Sequence, residues 1–322
     1  MSSGTNVWLG TSTKQLIQSR TGYRRRKFTN RIMLTVTALF TLAALAILFW
    51  IIIYVVIKGL QYLNLDFFIH LPRPLGMPGG GVLNAIEGTI ILTILASLFA
   101  VIPGILAAYY VAYNPNTPLG IAVRFGTDVL SGVPSIIIGL FCYALIVKYQ
   151  GHYSALAGSI ALAIIMLPTI IRTTEEMIKL VPHSLREGSL ALGSPEWKTA
   201  VSVSLPAASQ GIITGILLGI ARASGETAPL LFTALGNDNY EVGKIIKAGL
   251  ANHKGIFAIL GSIVTQPVDS LPLTLWKYAQ QPYPERINQS WAAALVLLIF
   301  VLSLNIFTRI WVQVRANRMQ GK

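Results

Sequence analysis

Charge is scarce in this chain. Only 11% of its 322 residues are Asp, Glu, Lys or Arg, against roughly 25% in soluble domains, and a soluble fold of this length would need far more polar surface. Acidic residues are the rarer sign, 12 against 25 Lys and Arg, which leaves a formal charge of +13. Cysteine is nearly missing. Cys142 stands alone inside an apolar run, which excludes an intrachain disulfide and a cysteine-built metal cluster. The four histidines, His70, His152, His183 and His253, are scattered with no ligand spacing, and no HExxH motif occurs, so no metal site is proposed. A nucleotide loop is lacking too. Its nearest approximation, Gly236 to Gly243-Lys244, has six intervening residues instead of four and continues into Ile245 where Ser or Thr is required. The sequence thus offers no nucleotide-binding loop.

What the chain has in abundance is apolar sequence, 53% of all residues. Residues 32–57 form 26 consecutive positions without a charge, too long for the core of a cleavable signal peptide and long enough to cross a bilayer as a retained helix. Further apolar runs cover 88–113, 125–147, 154–171, 212–235 and 291–312. These predict an all-α polytopic membrane protein with six transmembrane helices: a cytoplasmic arm over 1–31, a membrane domain over 32–315, and a short tail over 316–322. The arm, polar and then basic through Arg24, Arg25, Arg26, Lys27 and Arg31, is expected to be disordered.

The positive charge would raise nucleic-acid binding in a soluble protein, but here the Lys and Arg residues flank apolar runs, where they orient helices. The N-terminal cluster, Arg124, the group from Arg172 to Lys198 and the tail all fall on one side, which predicts two cytoplasmic termini and no nucleic-acid partner. The opposite side receives a Gly- and Pro-rich loop near 72–81 and a long connection over 236–290. Within the latter, the apolar stretch 256–264 is too short to span and is expected to be re-entrant or interfacial. Asn84 and Glu87, at the mouth of the second span, are expected to be solvated or to meet a docked partner.

Between spans four and five the sequence reads Glu187-Gly188-Ser189, three residues, Gly193, nine residues, then Val203-Ser204-Leu205-Pro206. Val181, Leu185 and Leu192 fall on one side of a helix whose other side carries Arg186 and Glu187. Gly193 breaks it, and Ser194-Pro195-Glu196 has the chemistry of a new helix start. The spacing resembles the EAA loop of ABC importer permeases, with Gly188 and Ser189 in place of the usual two alanines. That resemblance implies a type I (MetI-like) permease fold in which the loop, about 179–206, is a coupling helix docked on a cytoplasmic ATPase, with Glu187, Gly188, Ser189, Gly193, Leu205 and Pro206 as the coupling residues.

Span five carries Gly211, Gly215 and Gly219 on one stripe that leads into Arg222 and Glu226. An arginine at the bilayer centre costs about 2.5–3.5 kcal/mol on insertion scales, so it needs a partner or a use. Glu226, one turn on, is the partner; a structural ion pair and an anion-handling arginine both fit. Arg124 and Asp128 form a similar pair in span three, read as structural. In span four Pro168 precedes Arg172, either a gate or a positive-inside anchor. The string from Ala221 to Ala234 resembles the PstA family of phosphate permeases, as do Gly79–Ile86, Gly132–Ile136, Leu167-Pro168 and Ile171–Met177. The resemblance implies that Arg172, Arg222 and Glu226 lie on a phosphate pathway. It also implies a second, distinct permease, two ATPase copies that use ATP, and an extracytoplasmic phosphate-binding protein as partners in the bacterial or archaeal plasma membrane. This chain itself then needs no cofactor and performs no covalent chemistry. Another oxyanion, sulfate or molybdate, suits the same residue types, and a role chiefly in sensing phosphate supply stays open.

Overall fold

A computed structural model describes residues 10–319, apart from Pro78 and Lys254. The first nine residues of the predicted arm and the last three of the tail lie outside the described residues. The chain divides into two compact units, Met1–Ile57 and Lys58–Lys322. The described part of the first unit is helix α1 (Gly10–Leu60) as far as Ile57, the last three residues of the helix belonging to the second unit. From Gly10 on, the segment expected to be disordered is therefore helical. No proline occurs before Pro72, and the Arg and Lys residues preceding the apolar run are good helix formers, so nothing stops the helix from extending backward.

The second unit continues with α2 (Leu65–Ile69), whose Phe67 amide is capped by Asn64 Oδ1 at 2.8 Å, and then α3 (Leu83–Tyr113). There follow α4 (Pro118–Gly132) and α5 (Ser135–Gln150), bent by 107° at their junction. The remaining helices are α6 (Ala155–Lys179), α7 (His183–Ala191), α8 (Glu196–Ser224) and α9 (Ala228–Thr233), then α10 (Val242–Ala251), α11 (Ile256–Thr265), α12 (Leu271–Ala279) and α13 (Pro284–Met319). Among the described residues there is no strand, only an isolated parallel bridge between Leu235 and Val268. Five helices, α1, α3, α6, α8 and α13, contain stretches long and apolar enough to cross a membrane, and the bent pair α4–α5 makes six if counted as one span.

Two of the predicted spans have a different shape from the one their hydropathy suggests. The run 125–147 is broken at Val133-Pro134: Pro134 has no N–H, and it forces Val133 into an extended conformation, ψ 128°. The run 212–235 is broken at 225–227, where α8 ends and α9 begins with Pro229 in its first turn. Its helix also begins 16 residues earlier than the apolar run, at Glu196, with Glu196, Trp197 and Lys198 exposed at its start. A π-helical turn over Ala200–Ser204 lies just before Pro206. Proline at 206 cannot donate to the carbonyl four residues back, and the widened turn absorbs the mismatch.

Helix α6 is the centre of the bundle, with 67% of its most apolar window buried. Leu162, Met166 and Ile170 pack with Leu92, Ala96 and Ala100 of α3. On another face α6 meets α8 through the glycine stripe: a methyl group on Gly211 would collide with Met177, and one on Gly215 with Thr173. The stripe is thus a close helix crossing inside this chain, as small residues permit in membranes. The helix runs through Pro168 without interruption.

At the end away from the 179–206 loop, helices α9 to α12 form a polar cap on α3. Asn84, expected to be solvated, is fully buried and donates to the Asn237 carbonyl at 3.0 Å and to Asp269 Oδ2 at 3.3 Å. Glu87 accepts the Val242 amide at 2.8 Å, and Thr89 accepts that of Leu271 at 2.8 Å. Gly88 lies against the Asp269 carbonyl so closely that no Cβ fits. The glycine-rich loop is held from the start of α13: Arg286 lies 4.5 Å over the Tyr278 ring and donates to the Arg73 carbonyl, while Gln289 Nε2 donates to Gly79 O at 2.9 Å.

Lys277 closes this cap by donating to Asp269 at 2.6 Å and to Asp238 at 3.3 Å. Burial alone would lower its pKa, but the Asp269 carboxylate, helped by Asp238, outweighs that and holds it above the ordinary lysine range. Asp269 is 1% exposed and also accepts the Ser270 amide at 2.8 Å. Lys277→Met therefore strands a buried carboxylate, at a cost of about 3–5 kcal/mol, and should lower the thermal midpoint of the purified protein. The double variant Lys277→Met/Asp269→Asn should recover most of the loss; a double variant as unstable as the single one would show that the ion pair is not the stabilising element.

Candidate functional site

Three groups of residues carry the chemistry singled out in the sequence, and the fold places them at different depths. The first is the surface of α7 and the start of α8. Val181 is buried against Ile178, Ala208 and Ile212, which fixes the root of the loop. Beyond it Leu185 is half exposed, Leu192 is 89% exposed and Trp197 71% exposed. Glu187, Gly188 and Gly193 are exposed as well. Gly193 adopts φ +80° with open space around its missing Cβ, so glycine is required there by backbone conformation and not by crowding. Ser189 instead faces inward, its hydroxyl 2.9 Å from that of Thr199. Leu205 is half-buried in the cluster below, and Pro206 follows the π turn.

This surface is tied to the membrane helices through one arginine. Arg186 donates to Glu196 at 3.1 Å and lies 4.7 Å over the ring of Tyr113, the last residue of α3. The Tyr113 hydroxyl in turn donates to Ser204 Oγ at 3.2 Å, inside the π turn of α8. A displacement of α7 is thereby felt by the ends of both α3 and α8. In the sequence Arg186 had no visible partner, since Tyr113 is 73 positions away.

The second group is Arg222 and Glu226. Arg222 sits in the last turn of α8, where a cation suits the helix dipole, and Glu226 lies in the break before α9. They form an ion pair at 3.6 Å, with side chains 50% and 20% exposed. The break is buttressed on both sides: Ser224 approaches Thr93 of α3 at 3.4 Å, and Gly139 of α5 packs directly on Pro229. The Arg222 side chain is left half exposed.

The third group is a cavity of about 170 Å³ between α4 and α6, toward the 179–206 loop, lined by Arg124, Asp128, Arg172, Glu175, Glu176 and Lys179 among others. The pairing differs from the one expected. Arg124 and Asp128 do not serve each other: Arg124 Nε donates to Glu175 Oε1 at 3.0 Å, Lys179 donates to the same oxygen at 2.5 Å, and Arg172 is paired with Asp128. The structure does not bring Arg172 to Arg222 and Glu226. Thr173 crosses α8 at Gly215, seven residues before Arg222, which corresponds to about 10 Å of helix rise.

A family model described as "Binding-protein-dependent transport system inner membrane component" matches residues 104–321. The chain is 40% identical to the phosphate transport system permease protein PstA of Yersinia pestis, over 91% of this chain and 92% of that one. It is 34% identical to the probable phosphate transport system permease protein PstA of Methanocaldococcus jannaschii, over 87% and 92%. Among solved structures it superposes on a chain of the inward-facing MetNI methionine ABC transporter with a TM-score of 0.54 and 16% identity, covering 72% of this chain and 95% of that one. A chain of a bacterial alginate ABC transporter gives 0.54 and 14%, over 88% and 93%; at such identities the likeness is one of fold. With five apolar helices and a bent pair that makes a sixth span among the described residues, and with an exposed Glu187–Gly193 surface, the chain belongs to the inner membrane components of binding-protein-dependent transport systems, among the PstA permeases.

Proposed function

We propose that this chain is the membrane permease subunit of an ATP-driven phosphate importer and forms half of the translocation pathway. The 179–206 end faces the cytoplasm together with both termini, as the basic flanks favour. There the α7 surface docks a cytoplasmic ATPase, one of two copies, while an extracytoplasmic phosphate-binding protein delivers the anion at the opposite end. A second, distinct permease covers the open faces of α4 and α8. The observation that carries the reading is Arg222: a half-exposed arginine side chain at a helix break, its guanidinium held by Glu226 at 3.6 Å rather than at hydrogen-bonding distance. A planar fork of donors so held can accept a tetrahedral oxyanion and release it again, as transit requires. Alternating access driven by the ATPases then moves the anion from Arg222 toward Arg172 at the cytoplasmic end. No covalent step is needed.

ATP-dependent uptake of labelled phosphate by the complete complex in liposomes tests this. A charge-assisted hydrogen bond is worth about 1.5–3 kcal/mol, so Arg222→Gln should slow uptake by roughly 10- to 150-fold, and Glu226→Gln should change it in the same assay. Unchanged uptake in both variants removes the site. Coupling is read separately. Tyr113→Leu deletes the platform under Arg186, a contact of about 1 kcal/mol, and should cut phosphate moved per ATP roughly fivefold while ATP hydrolysis continues. Tyr113→Phe, which keeps the ring, should retain most of the coupling; equal transport per ATP in Tyr113→Leu and the parent would rule the linkage out.

A further inference from the structure

The α4–α6 cavity contains three cations, Arg124, Arg172 and Lys179, and three carboxylates, Asp128, Glu175 and Glu176. Its formal charge is zero. An oxyanion is therefore not drawn in by net charge and can bind only by taking a cation from a carboxylate. The two pairings are unequal in this respect. Glu175 is 10% exposed and neutralises two cations through one oxygen, so displacing it would strand a nearly buried charge. Arg172 and Asp128 are 54% and 55% exposed, and their pair opens toward water.

We propose that Asp128 is a specificity-determining residue, which admits oxyanions that carry a proton and rejects those that do not. The inference rests on the reading that phosphate passes through this chain. When the anion takes Arg172, the displaced Asp128 carboxylate becomes its close neighbour. An ionised carboxylate only accepts hydrogen bonds. Monohydrogen and dihydrogen phosphate keep a P–OH that donates to it, so the anion satisfies both members of the former pair: its ionised oxygens face Arg172 and its hydroxyl faces Asp128. Sulfate and molybdate are fully ionised near neutral pH and set acceptor against acceptor, with like charges adjoining. A group built to receive a hydrogen bond rejects the analogue that lacks the donor. Asp128 thus holds Arg172 while the cavity is empty and checks the protonation of whatever replaces it.

The test must bypass the binding protein, which selects upstream. The complete complex is placed in liposomes with the ATPases outward and the binding protein and labelled phosphate enclosed. External ATP drives label out, and unlabelled phosphate or sulfate added outside competes at the ATPase-side cavity alone. In the parent, phosphate should inhibit at a concentration about tenfold lower than sulfate does, a fraction of the discrimination a closed hydrogen-bonding site gives. Asp128→Asn, whose amide donates as well as accepts, should bring the two anions to within about twofold of each other. Asp128→Glu, an acceptor only, should keep the gap. Should Asp128→Asn not assemble, Asp128→Ser supplies the same donor. A gap that survives removal of the carboxylate, a gap lost equally in Asp128→Glu, or a parent inhibited by neither anion overturns the role of Asp128. A parent that moves no labelled phosphate overturns the transport reading itself.

Discussion

A backbone in lipid has no water to fall back on, so every departure from regular helix must find a substitute for the hydrogen bonds it gives up. That requirement shapes the outer half of this protein. The chain leaves helical geometry at 225–227 and again through the connections between α9 and α12, and polar backbone groups there are met by side chains of α3 and by amides at the start of α6. Thr89 and Glu87 take the amides of Leu271 and Val242, while the amides of Ser154 and Ala155 go to the carbonyls of Thr233 and Gln266. The buried hydroxyl of Tyr240 donates to Ile263 O at 3.0 Å. The short polar motif at the start of α3 is thus the surface on which irregular backbone can exist at the edge of a membrane.

The same scarcity of water governs the charges. Within the spans they occur in opposed sets, and the sets are made between helices as often as within one. Arg124 and Asp128 on α4 meet Glu175 and Arg172 on α6, which locks two helices at the loop end. The Arg222–Glu226 pair at the other end of α8 is longer. Within the loop-end set the two pairings differ, Glu175 being nearly buried between two cations and the Arg172–Asp128 pair half exposed.

The sequence makes the spans legible because a bilayer demands about 20 apolar residues in a row and this chain supplies six such runs. Gly193, Arg222 and Glu226 were legible for the same kind of reason: a glycine after an amphipathic turn, and charges where charge is costly. What hydropathy does not carry is direction. Val133-Pro134 lies within an apolar run, and nothing in composition distinguishes a straight span from one bent by 107°. Nor does spacing decide partners: Arg124 and Asp128 are neighbours on one helix, but α6 presents opposite charges at the same level and wins both. Asn84 read as a mouth residue because its partners, Asn237 and Asp269, are more than 150 positions away.

The two ends of the bundle are joined by α6 and α8, and the way they cross bears on how a surface helix could act on the proposed anion site. Glycines at 211, 215 and 219 let the α8 backbone lie directly on the side chains of Met177, Thr173 and Ile170. Helices packed this closely transmit strain rather than absorbing displacement. α7 is linked to α3 and α8 through Arg186, Tyr113 and Ser204. Motion introduced there is carried along α8 to its break at Gly225, the first place where the helix can yield. Arg222 stands three residues before that break, where a rigid lever ends and a change in its angle becomes a change in what the guanidinium faces.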